Sequence, residues 1–390
     1  MSNTLTALAP VLYSAAKEVQ QEPVGALSSI NMNFDDKGVA IGDSVTIPIA
    51  PAASTGTYSP AMTASAGTDK IADSTTVTIS ANKVVSWHLT GEQQRSLQNG
   101  ASDKDWVRQM IAQGMRALRN DAETDLCSAI YKGASRAYGT AGTTPFASTI
   151  DDIANIYKIM KDNGAPMSDL QLIINTSAGL NARKLGIIQQ ADQAGSDAER
   201  RSGNFLKQFG FSIKESAGIA SHTKGTATGF QIVAAGEAAG QTTLSFDGGD
   251  AGTIIAGDVL TIGTGGGSGT GTDYDTKYVI NDPSTLTGAA SGNVIIGRPG
   301  LKVARVNADE GVLGNSYTAN IAFERSAVVG IMRPPIIPAS PLIKQMMISD
   351  DKGMTYLMVE IVGDGMITWR LHLAYGFKVV NSEYVVNLLG

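Results

Sequence analysis

Apolar residues recur every three or four positions at Val107, Met110, Ile111, Met115, Leu118, Ala122, Leu126 and Ile130. That spacing predicts a helix with one buried stripe, and Arg108, Arg116, Arg119, Glu123 and Asp125 fall on the opposite face. Ser102 is placed to cap it, Asp103 and Asp105 favour the dipole of the first turn, and Lys132-Gly133 ends it. About 30 residues at ~1.5 Å each give ~45 Å, a length suited to a structural backbone. Leu5 to Val19 also has helical spacing, but Pro10 makes it a short or kinked arm. A second helix is expected from Thr149, a cap with Asp152 three residues on, to Asn163-Gly164.

Period-two patterns mark the strands. Val45 to Ile49 reads as one, and Thr76 to Ser80 alternates cleanly as its partner. Between them, residues 50–75 carry Pro51, Gly56, Pro60 and Gly67, with few large apolar groups besides Tyr58, Met62 and Ile71. A linker this long inside a compact domain is usually functional. It predicts a long two-stranded projection with a polar tip that packs on a neighbour, since a lone hairpin is marginal in water. Residues 21–43, rich in Pro, Gly, Ser, Asn and Asp, read as an extended arm that needs a surface to lie against. Further on, Leu170 to Ile174 is a buried strand feeding a short helix capped near Thr176. Phe205 to Glu215 is a turn and a strand, and Tyr317 to Arg325 places Ala319, Ile321 and Phe323 on one face. Strands Thr355 to Val362 and Met366 to Val380 flank Gly363-Asp364-Gly365, a hairpin signal.

One block departs from this pattern. Residues 222–300 hold 18 of the chain's 44 glycines. Their seven acids against three bases supply −4 of the net −6. Short Val/Ile/Thr/Phe runs punctuated by Gly-Asp and Gly-Gly read as a small all-β unit inserted in a loop of an α+β host.

Composition narrows the function. Aromatics make up 6% and charged residues 17%, the latter against a typical ~25%. A pI near 5.2 argues against a dedicated polyanion-binding face. Cys127 is the single cysteine, so no intrachain disulfide framework exists. The start lacks the pattern of a signal peptide, and no stretch approaches the ~20 apolar residues that span a bilayer. A cytosolic, assembling chain without membrane contact is expected.

Candidate chemistry is sparse. His88, His222 and His372 are far apart and lack metal-ligand spacing. In the last hairpin, His372 shares the face of Thr368 and Arg370, and is expected to be solvated; His88 and His222 have no obvious partner. Cys127 reads as packing inside the long helix. The run from Gly263 to Gly271 invites a phosphate-loop reading, but no Lys-Ser/Thr follows and no helix begins there. Asp247, Asp250, Asp273 and Asp275 match no EF-hand spacing and read as turn formers. Asn175-Thr176-Ser177 fits a glycosylation triplet, which helix capping explains at least as well.

Taken in order, arm, hairpin projection, long helix, α+β domain with β insertion and closing strands form a pattern. Gly42 to Pro48, Phe205 to Glu215, Tyr317-x-x-Asn320-x-x-Phe323 continuing to Pro334-Pro335, and Arg370 to Val379 carry it. Within the insertion, Thr242 to Phe246 and Ala256 to Ile262 add to it. On these stretches the chain resembles tailed-phage major capsid proteins of the HK97-like fold, of the P22 coat protein type. The resemblance implies an α+β fold with an N-terminal arm (1–43), an E-loop with peripheral strands (44–88) and a peripheral domain with spine helix (89–135). An axial domain (136–221 and 301–340), an inserted small β-barrel domain (222–300) and closing strands (341–390) complete it.

The implied function is a virion shell subunit, not an enzyme, without cofactor or metal. It would form pentamers and hexamers around the dsDNA genome, which it touches only non-specifically, after assembly in the bacterial host cytoplasm. The implied partners are a separate scaffolding protein, a portal protein and a decoration protein. Candidate intersubunit contacts are Tyr58, Met62, Asp69, Lys70 and Ile71 in the E-loop, and Glu237, Asp247, Asp250 and Asp273 in the insertion. The hairpin at Ala234 to Gln241 is shorter than the charged loop that crosses two-fold axes in the P22 type. The competing readings are an encapsulin-like cellular compartment and a hydrolase or carbohydrate-binding protein with a β module.

Overall fold

The computed structural model describes residues 9–21, 25–34, 38–49, 73–93, 95, 103–185, 208–233, 236–250, 252–263, 276–286, 292–338, 340–349 and 354–390. The expected Ser102 cap, the residues 50–72 between the projecting strands and most of the Gly263 to Gly271 run lie outside them.

The long helix spans Asp103–Lys132, 30 residues. Ile111, Met115, Leu118, Ala122, Leu126 and Ile130 are buried, as their spacing requires. They pack on a sheet through Trp87, Trp369, Leu371, Leu373 and Tyr375. The opposite side is only partly open to solvent: Gln113, Asn120, Asp121, Thr124 and Asp125 are exposed, whereas Arg108 and Arg116 are half-buried and Arg119 is buried. A first helix, Ala9–Gln21, lies against the long one and buries Leu12, Ala15, Ala16 and Val19. Pro10 sits in its first turn, where a missing N–H costs nothing, so the helix accommodates it. Glu18 accepts from Arg108 Nη1 at 2.8 Å and Arg116 Nη2 at 3.1 Å. Arg119, 6% exposed, donates to the Val19 carbonyl near the helix end at 2.8 Å. The arginines that a lone amphipathic helix would turn to water therefore bind the arm.

The sheet under the long helix has six strands. In order they are Asn31–Phe34, Val328–Arg333, Met366–Val379, Thr355–Val362 and Ile343–Ser349, with Ala81–Thr90 paired to Met366–Val379. Part of the expected extended arm thus becomes a parallel edge strand, Asn31 opposite Val329. The hairpin at Gly363-Asp364-Gly365 forms, with Gly365 at φ 75°.

Ser44–Ile49 and Asp73–Thr78 pair with each other in antiparallel register and with no strand of either large sheet. Among the described residues, the ribbon is held along one face, with Val45 and Ile47 packed on a small core and Lys378 Nζ donating to Thr76 O at 3.0 Å. Val77 and Ile79 pack with Val39, Ile331 and Ala374, while Ser44, Thr46, Pro48, Ser74, Thr76 and Thr78 are exposed.

A twelve-stranded sheet builds the rest. Leu170–Ile174 lies between Phe211–Glu215 and Tyr317–Glu324, followed by Val385–Leu389 and Arg136–Tyr138. Tyr317–Glu324 is buried on both faces: Ala319, Ile321 and Phe323 join the long-helix core and Ala322 a second one. That second core contains Ile153, Ile156 and Met160 of the helix Asp151–Asp162, and Ala178 and Ala182 of the helix Thr176–Lys184. Thr149 does not cap the former. Ile150 occupies the N-cap position without a side-chain bond, and the Asp152 carboxylate instead accepts from Phe146 N at 2.9 Å. Asn175 caps the latter, accepting from Ala178 N at 2.8 Å, which accounts for the Asn-Thr-Ser triplet.

From Arg136–Tyr138 the sheet continues into the glycine-rich block through Lys277–Asp282, Gly292–Ile296, Thr243–Asp247 and Gln231–Ile232. Val259–Ile262 and Gly311–Leu313 extend it from Lys277–Asp282 on the other side. Backbone bonds from Ile232 N to Asp309 O and from Gly311 N to Phe230 O then join the two ends. Six short strands close into a ring around Phe230, Leu244, Phe246, Leu260, Ile280 and Val294. Closure removes free sheet edges. It also needs Gly311–Leu313, and Leu301 and Leu313 belong to this core, so the unit extends beyond Gly300.

Candidate functional site

The module meets the host at a buried polar cluster. His222 enters the module and Tyr317 leaves it, and the two residues are paired across neighbouring strands. His222 Nε2 lies 2.8 Å from Asp258 Oδ1, with side chains 3% and 1% exposed. The Asp258 carboxylate also accepts from Gly225 N at 3.0 and 3.2 Å and from Ile255 N at 2.7 Å. Such bonding compensates a buried carboxylate for the water it has lost. Tyr131 of the long helix meets the imidazole edge-on at 5.6 Å, and the Tyr317 ring lies at 5.2 Å. Tyr317 donates its hydroxyl to Gly257 O at 2.7 Å. Burial holds the Tyr131 and Tyr317 phenols above the usual range, so both remain protonated. At Gly257, φ is 100°, and an added Cβ would stand 2.5 Å from the Tyr131 ring. Glycine is what lets the module's turn come this close to the helix.

This cluster is enclosed, and its geometry suits fastening rather than turnover: four side chains from entry, turn, exit and long helix hold one another. Sequence reasoning left His222 without a partner, because Asp258 lies 36 residues away behind a Gly-Asp turn like several others.

The other reactive groups lie elsewhere. Burial, with Glu123 nearby, pushes the Cys127 thiol up to about 12, which keeps the nucleophilic thiolate scarce at neutral pH. His88 is exposed on its strand. His372 is not solvated as expected. Its ring nitrogens are covered and have no hydrogen-bond partner, and burial, with Arg370 adding to it, holds its pKa below the usual value. The strand neighbours Leu357 and Val84, directly opposite on either side, shield it. Among the described residues, no group of three His, Cys, Asp or Glu side chains could hold a metal ion, and no helix is long and apolar enough to cross a membrane.

The candidate contact residues divide three ways. Tyr58, Met62, Asp69, Lys70, Ile71 and Asp273 lie outside the described residues. Glu237 is 8% exposed and accepts from Ser245 N at 2.8 Å, so its carboxylate serves the module's own fold. Asp247 and Asp250 flank the turn at Gly248-Gly249, with Asp250 exposed and accepting from Thr228 Oγ1 at 3.2 Å.

No family model and no curated protein matches the sequence. Among solved structures of similar fold is the capsid of cyanophage P-SCSP1u, at 13% identity, 93% of this chain, 86% of that chain and TM-score 0.48. A Mycobacterium phage Che8 structure matches at 14% identity, 89% and 84% coverage and TM-score 0.45. A virus-like particle from Pyrococcus furiosus matches at 9% identity, 96% of both chains and TM-score 0.42.

Proposed function

We propose that this chain is the major capsid protein of a tailed phage, a shell subunit rather than an enzyme. The observation that carries this reading is the ribbon of Ser44–Ile49 and Asp73–Thr78, which pairs with neither large sheet and leaves one face, Ser44, Thr46, Pro48, Ser74, Thr76 and Thr78, exposed. A two-stranded ribbon is marginal in water unless its face is covered. A neighbouring copy supplies that cover, and a head-to-tail contact of this kind builds rings and closed shells. The sequence resemblance points the same way. On this reading Tyr58, Met62, Asp69, Lys70 and Ile71 make intersubunit contacts in pentamers and hexamers of a virion capsid. The barrel, widened to include Gly311–Leu313, is the inserted domain. A separate scaffolding protein, a portal, a decoration protein and non-specifically held DNA complete the particle assembled in the host cytoplasm.

The test is purification of the chain alone and with a co-expressed scaffolding protein, followed by electron microscopy and sedimentation velocity. Uniform closed shells are expected in at least one condition. Monomers under every condition overturn the reading.

A further inference from the structure

A cleft of about 660 Å³ lies where the helix Asp151–Asp162, the strand Arg136–Tyr138 and the barrel meet. Its walls carry Arg136, Lys158, Lys277 and Lys302 against the single carboxylate of Asp162. The balance is +3 in a chain of net charge −6, and the neighbouring cleft with Lys132, Arg298 and Lys378 has the same balance, which makes it the rival receptor. Part of the charge is fixed in place. The Arg136 guanidinium lies 4.4 Å over the Tyr278 ring and donates to Gly300 O, and Lys277 Nζ donates to Gly139 O. Lys158 and Lys302 stand exposed on opposing walls, one on the host helix and one on the barrel.

The barrel's acidic turn stands at its other end. The strand Thr243–Asp247 begins beside the cleft wall, where Leu301 N donates to Gln241 O at 2.9 Å. It ends at Asp247, and Asp250 follows across two glycines that have no side chains. Four residue steps at ~3.4 Å put the turn ~14 Å farther along the barrel. A subunit therefore cannot place its own acidic turn in its own basic cleft.

We infer that the cleft receives the Asp247–Asp250 turn of a second copy of this chain, in a head-to-tail contact. Opposite charge at the two ends of one module is the pattern that a heterologous contact requires, and it sets register and partner choice. The slim turn brings two carboxylates on bare backbone into a cleft with cations on both walls. This contact rests on the self-assembly reading and is separate from the ribbon.

A charge swap followed by light scattering and sedimentation velocity at low salt tests it. Lys158→Glu/Lys302→Glu, and separately Asp247→Lys/Asp250→Lys, should each raise the protein concentration needed for assembly by ~10-fold or more. Combining all four should restore it to within ~3-fold of the unaltered chain. Circular dichroism and thermal melts confirm folding, and Asp247→Lys alone serves if the double reversal at the turn does not fold. Arg298→Glu, in the neighbouring cleft, should leave assembly unchanged. The contact is overturned if the reversals have no effect, if their combination gives no rescue, or if Arg298→Glu is the change that disrupts assembly. Rescue failing in a chain that still forms shells sinks only this contact, whereas an unaltered chain that never associates sinks the shell reading with it.

Discussion

The closed barrel and the projecting ribbon are both built from short strands, yet they solve opposite problems. The barrel joins its own ends, buries Phe230 and Phe246 in edge-to-face contact at 5.0 Å, and is fastened to the host by His222 and Asp258. The ribbon has two strands, one face held on a small apolar core and the other exposed. Closure makes a module whose stability is its own. On the shell reading, openness leaves a segment whose stability another molecule completes. The contrast separates what folds this chain from what assembles it, and it breaks down if either region can be altered with the other's consequence.

The largest expected effect is on assembly. Deleting residues 53–71 and bridging the gap with a short Gly-Asn linker should abolish shells seen by electron microscopy. The same deletion should leave the thermal midpoint of the monomer within a few degrees, since ~1 kcal/mol moves it by about 2–4 °C in a chain larger than 150 residues. Normal shells from the shortened chain would remove the ribbon's role.

Phe246→Ala should do the reverse. Phe246 is fully buried in the barrel, and removing such a ring costs about 3–5 kcal/mol in lost burial and cavity formation. Urea unfolding should show that loss, and hydrogen exchange should localise it to the barrel strands while protection in the long helix persists. Equal loss of protection everywhere would mean that the barrel is no unit of its own.

The fastening comes next. Asp258→Ala leaves the imidazole and the Gly225 and Ile255 N–H groups without their carboxylate, at a cost of about 3 kcal/mol or more. His222→Ala leaves those two N–H bonds to the carboxylate in place and should cost less, about 1–3 kcal/mol. An inverted order in urea unfolding would show that ring packing against Tyr131 and Tyr317, rather than the carboxylate, fastens the module.

How far the sequence announced this contrast depends on the range over which each feature is written. Val45 to Ile49 and Thr76 to Ser80 alternate within a few residues, so the pairing of two strands was legible, but the second strand runs Asp73–Thr78 and its register was not. The long helix and the Gly363–Gly365 hairpin were legible for the same reason. Ring closure was not, because Gly311–Leu313 is three residues long and shows no alternation of its own. The burial of Arg119 was hidden as well: an amphipathic pattern says which face is polar, and not that Val19 of another helix will cover it. Of the candidate contacts, Glu237 shows the limit most plainly. Its charge suggested a surface, and only the fold reveals Ser245 N waiting for it.

The smallest effect sets the module against the host sheet by their histidines. His222 sits at the closed module with a carboxylate partner, while His372 sits in the open host sheet with both ring nitrogens covered and unpartnered. Burial and Arg370 depress the His372 pKa in the folded state. As pH falls below ~6.5, the unfolded chain binds a proton there that the folded chain resists, so this residue's stabilising contribution is present above that pH and is lost on acidification. Each unit of pKa depression is worth about 1.4 kcal/mol once pH has passed the folded value. His372→Gln keeps a polar side chain of similar reach but cannot titrate. Urea unfolding at pH 7.5 and pH 5 should therefore show a smaller acid-induced loss in His372→Gln than in the unaltered chain. Equal losses in both would place the acid sensitivity elsewhere and remove this histidine from the contrast between the satisfied module and the unsatisfied sheet.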